Sequence, residues 1–131
     1  MNHVENRKMN KAGFSLIEVL IAITIGFIIM GGVYALGKRV MENVKRNSTK
    51  TELQFVQSQI QMFKAEKGRY PEDLPELRKS GFLKGAEKPK DGWDQPLIYR
   101  KTEDGKHPYE LFSYGSEGKS GSKEGRISVW D

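Results

Sequence analysis

The chain has 131 residues, with 22 Lys and Arg against 17 Asp and Glu and no cysteine. That length leaves room for one small domain and an anchor, and a chain without cysteine has no disulfide framework. A net charge of +5 is a mild excess with both signs interspersed, which points to a solvated mixed surface rather than a nucleic-acid-binding one.

Residues 1–13 carry no periodic apolar pattern and read as a basic leader, with Arg7, Lys8 and Lys11 against Glu5. Residues 14–36 follow as an apolar run of 23 in which Glu18 is the only charged side chain. As a helix that run covers roughly 34 Å, against a hydrocarbon core of about 30 Å, so it can cross a bilayer. The small-residue pair Ala12-Gly13 stands before the run, whereas a secretory signal places its cleavage site after it. Cutting there leaves the membrane helix on the mature chain and creates a new ammonium group at Phe14, four residues from Glu18. A carboxylate within such a span costs about 2.5 to 3.5 kcal/mol at the bilayer centre and calls for a partner. A cation on a neighbouring subunit would supply one. Basic residues ahead of the run place the N-terminus in the cytoplasm by the positive-inside rule, a bias that Lys38, Arg39, Lys45 and Arg46 beyond it weaken.

No proline occurs between Phe14 and Pro71, and good helix formers fill most of 37–67, so the pattern predicts one helix over 14–67. Gly26, Gly31 and Gly32 fit either close packing between helices or local unwinding about Gly31-Gly32. Residues 45–52 are polar all round and predict a stretch that is solvated or lies between neighbours. From there Leu53, Val56, Ile60 and Phe63 fall at helical spacing and define one apolar face. Gly68 and Pro71 mark the stop.

Pro71 and Asp73 ahead of LPELRKS predict a turn and then one or two helical turns, with Leu74, Leu77 and Phe82 inward. Strands are expected at about 97–101, 109–114 and 126–130, with a hairpin-type turn at Asp104-Gly105. The simplest fold is α+β, with a long N-terminal helix, half transmembrane and half amphipathic, packed on a three-stranded antiparallel sheet. Its organisation is a leader at 1–13, a membrane half at 14–36 and a domain at 37–131.

GFSLIEVLIA at 13–22, behind its basic leader, resembles the N-terminus of type IV pilins and type II secretion pseudopilins. GRYP at 68–71, DGWDQPLIYR at 91–100, YELFSYGSEGKSG at 109–121 and ISVW at 127–130 are similar to the major pseudopilin, the protein G family. The resemblance implies a pilin-like fold, cleavage between Gly13 and Phe14 by a prepilin peptidase, N-methylation of Phe14, and filament assembly in which Glu18 sets the contact. It further implies an inner-membrane subunit with a periplasmic C-terminal domain. The implied partners are further copies of itself, minor pseudopilins and an inner-membrane assembly platform. A pilus subunit for adhesion, twitching or DNA uptake is the nearest rival reading.

In the protein G family the loop before the last strand holds calcium, an ion that takes six to eight oxygens. Here Ser113, Glu117, Ser120 and Glu124 are the candidate ligands, but Arg126 stands where the resemblance leads one to expect an Asp. That departure puts the ion in doubt and offers an Arg-bridged loop instead. GKS at 118–120 lacks the first glycine and the helix of a phosphate loop. His107 stands alone, and no nucleophile with its base is present, so the sequence predicts no enzyme.

Overall fold

The computed structural model describes residues 13–85, 88–103 and 105–131; the leader residues up to 12, and Asp104 of the expected turn, lie outside the described residues. In chain order the elements are α1 (Leu16–Lys67), α2 (Leu74–Lys79), β1 (Ile98–Lys101), β2 (Tyr109–Ser113), a 3-10 turn (Lys123–Gly125) and β3 (Ile127–Ser128). The helix begins two residues later than its predicted start and ends where predicted. The chain divides into two units, Met1–Lys38 and Arg39–Asp131.

In the first unit the helix is apolar on every side and none of the described residues covers it: Leu16, Phe27 and Met30 are each more than 70% exposed. It is long and apolar enough to cross a membrane by length and composition. A helix hydrophobic all round is ordinarily buried, in a protein core or in a membrane.

In the second unit the periodicity holds. Leu53, Val56, Ile60 and Phe63 are fully buried and form one core with Leu77, Leu97, Tyr109, Leu111 and Ile127. Gly68 closes the helix with φ +76°, a conformation open to glycine at little cost, and its N–H donates to the Lys64 carbonyl at 2.8 Å. Asp73 caps α2 by accepting from the Glu76 N–H at 2.8 Å, so Leu77 points into the core while Leu74 and Phe82 pack at its rim. Phe82 meets Phe63 edge-on, with ring centroids 5.6 Å apart.

The sheet is antiparallel with order β1-β2-β3, in which Ile98 pairs with Phe112 and Phe112 with Ser128. Alternation along β2 sends Tyr109 and Leu111 to the core and leaves Glu110 and Phe112 on the other face. Phe112 is nevertheless buried, because the Arg126 guanidinium lies 5.1 Å from its ring and Tyr114 packs against its edge. The third strand is shorter than the expected 126–130. Asp131 accepts from the Ser128 N–H at 2.9 Å, and Trp130 turns back to donate its indole N–H to the Tyr109 carbonyl at 3.0 Å. This closing turn ends the ladder, and Trp130 stacks on His107 at 4.1 Å.

Residues 45–52, expected to be solvated or to lie between neighbours, are mostly exposed, with one buried exception. Thr49 is fully buried; its hydroxyl donates to the Lys45 carbonyl at 2.7 Å and accepts from the Gly92 N–H at 2.8 Å. The loop after Lys90 therefore docks on the helix backbone. Only a glycine allows that approach, since a Cβ at position 92 would lie 2.7 Å from the Lys45 Cα.

Arg69 and Glu76 pair across the turn ahead of α2. The Arg69 hydrogen bond, then that from the Glu72 N–H, holds the Glu76 carboxyl below its ordinary range. A lowered folded-state value means that this contribution is present above the unfolded carboxylate pKa and is lost as pH falls through the folded one. Glu76→Gln should therefore lower the melting midpoint at neutral pH and converge with wild type in acid, which flattens the acid limb, and the difference should be small because the pair is exposed and screened. An acid limb identical to wild type would remove Glu76 from the acid response.

Candidate functional site

Gly13 and Phe14 precede the helix outside regular secondary structure, and Phe14 is 85% exposed. Ser15 and Glu18 form a reciprocal pair over the first turn. The Glu18 N–H donates to Ser15 Oγ, and Glu18 Oε2 accepts from the Ser15 N–H, both at 3.4 Å. This is the capping-box arrangement, which satisfies two helix N-terminal donors at once and sets a carboxylate at the positive end of the dipole. Ser-x-x-Glu ahead of an apolar run is the sequence signature of this cap, and it gives Ser15 a role that the expectation of a partner for Glu18 on another chain does not include. The contacts are long for hydrogen bonds, so the cap holds Glu18 loosely.

The second candidate site is the loop from Ser113 to β3. Ser113 is buried, donates to Asp91 Oδ2 at 2.6 Å and accepts from the Gly115 N–H at 3.0 Å. Asp91 is itself saturated, since its other oxygen accepts from the N–H groups of Trp93 and Gln95, each at 2.9 Å. Gln95 reaches across to donate to the Gly115 carbonyl at 3.0 Å. Glu117 accepts from the Ser122 N–H at 3.1 Å while remaining exposed, as Ser120 and Glu124 are.

Among the described residues no three His, Cys, Asp or Glu side chains stand close enough to share a metal ion. Glu117 and Glu124 belong to no such cluster, and Ser113 and one oxygen of Glu117 already hold hydrogen bonds within the chain, a poor match to a calcium shell of six to eight oxygens. Asp91, the residue that organises this corner, carries no local signal: its partner Ser113 lies 22 positions on.

The helix with its exposed apolar half, the capped Glu18 and the small antiparallel sheet together define a pilin-like subunit. The prokaryotic N-terminal methylation motif matches residues 8–34, and the pattern of type II secretion system protein G matches residues 38–130. The chain belongs to the type II secretion system protein G family. It is 31% identical over 126 residues to the type II secretion system core protein G of Xanthomonas campestris pv. campestris, an alignment covering 87% of this chain and 85% of that protein. Members of this family are structural pseudopilins rather than enzymes, and the pilus-subunit alternative is not the one these matches favour.

Proposed function

We propose that the chain is stored in the inner membrane with its C-terminal domain in the periplasm, cut between Gly13 and Phe14 by a prepilin peptidase, methylated on the Phe14 nitrogen, and polymerised into a periplasmic filament that helps export folded proteins. Minor pseudopilins and an inner-membrane platform are the partners this reading requires. The observation that carries it is the uncovered apolar half of α1, with Phe14 exposed at its start and Glu18 in its first turn. Such a surface needs lipid before assembly and other copies after it.

Mass spectrometry of the subunit purified from its own cells tests the processing step. The expected N-terminus is Phe14 carrying one methyl group. A chain beginning at Met1 with no methyl on Phe14 would end this reading. Gly13→Leu, which puts bulk into a site that takes only a small residue, should leave the uncut form in the membrane.

A further inference from the structure

The loop between β2 and β3 is closed by groups of the chain itself. The exposed Glu117 carboxylate bends over its own loop, where Oε2 takes the Ser122 N–H at 3.1 Å. A Cβ added at Gly121 would stand 2.4 Å from the Glu117 Cβ and 2.7 Å from the same oxygen, so this glycine is what lets the backbone fold against Glu117. At the loop's end the Arg126 guanidinium sits over Phe112 and Tyr114, 5.1 and 5.2 Å from the ring centroids. A partly desolvated cation over aromatic faces is held electrostatically as well as by contact. A fixed positive charge there also opposes the approach of a second cation. On the inner side Asp91, Ser113 and Gln95 bind one another and both backbone groups of Gly115, leaving neither Asp91 oxygen without a donor.

We propose that the loop 114–126 closes without a metal ion, with its backbone hydrogen-bonded to the Glu117 carboxylate and the Arg126 guanidinium on Phe112 and Tyr114 acting as its fastening, so that the domain is indifferent to calcium. Glu117 offers the loop an internal acceptor and Arg126 an internal cation, the two roles that a bound ion and its ligands would otherwise divide. The inference does not depend on where the chain is cut or how it assembles.

Lys119 and Lys123 lie inside the loop and make it readable by lysyl endopeptidase on the full chain in detergent, with cleavage sites identified by mass spectrometry. When opening is fast relative to cleavage, the rate follows the population of the open loop. Wild type should be cut at these two lysines at the same rate in excess calcium and in excess chelator. Glu117→Ala removes a charge-assisted acceptor and should speed cutting about tenfold, the equivalent of about 1.4 kcal/mol, in both conditions. Glu117→Gln keeps an acceptor and should stay nearer wild type. Arg126→Ala should likewise loosen the loop regardless of calcium; if it fails to fold, Arg126→Lys keeps the charge, loses the planar stack and should loosen it too. Faster cutting of wild type in chelator, rescue of the Glu117→Ala loop by calcium, or wild-type rates in both Glu117→Ala and the Arg126 variant would overturn the proposal.

Discussion

Glu18→Leu should enter the membrane at least as well as wild type and yet fail to join filaments or support secretion. The carboxylate lies in the first turn of a helix whose apolar surface none of the described residues covers, and a charge at the centre of such a span costs about 2.5 to 3.5 kcal/mol. Leucine removes whatever part of that cost applies in the first turn. Among the described residues the Glu18 carboxylate takes the Ser15 N–H, at a long 3.4 Å, which leaves most of its hydrogen-bonding capacity for another subunit's cation. On the proposed cleavage, the amine of Phe14 on a neighbour shifted along the filament would be that cation, and the pairing would set the register between subunits.

Glu18→Gln separates charge from shape, because the amide oxygen can still accept from Ser15 while the charge is gone. It should therefore keep the helix start and lose assembly. Membrane fractionation, crosslinking between subunits and recovery of sheared filaments report the two steps independently. Filaments of wild-type yield from Glu18→Leu would mean that apolar packing alone sets the register.

The largest stability loss should come from Gly92→Val. A side chain at position 92 meets the Lys45 backbone, with the Cβ itself only 2.7 Å from Lys45 Cα. Backbone cannot swing aside as a side chain can, so the loop must lift away. Lifting it breaks the Gly92 N–H to Thr49 contact and leaves a buried hydroxyl half satisfied. Overpacking costs about 1 to 3 kcal/mol and the lost hydrogen bond about 1 more. In a domain of this size, where each kcal/mol moves the midpoint by about 4 to 8 °C, the expected fall is of order 15 °C. Thr49→Val keeps the volume and removes only the hydroxyl, so its loss should be smaller. The double variant should lose less than the two singles combined, because both act on one contact. Thermal melting of the full chain in detergent checks all three, and a Gly92→Val midpoint equal to wild type would show that the loop does not dock on the helix.

What is local along the chain was legible without the structure. The membrane run, Glu18 within it, the amphipathic face at Leu53, Val56, Ile60 and Phe63, the stop at Gly68 and the Asp73 cap all depend on neighbours within a turn or two of helix, and periodicity and capping chemistry report such neighbours directly. The same holds for the strand expected at 109–114, although only the fold shows that Tyr109 and Leu111 take the core face of β2. Tertiary structure alone decided three things. Thr49 is buried because a glycine 43 residues away reaches it. Ser113 is a partner of Asp91, 22 residues back, and is fixed by it and by the Gly115 N–H. Phe112, on the sheet's outer face, is covered by Arg126 from the next strand's approach. In each case the deciding contact joins segments distant along the chain. A residue's type shows what it can bind, and only the fold determines which partner reaches it first.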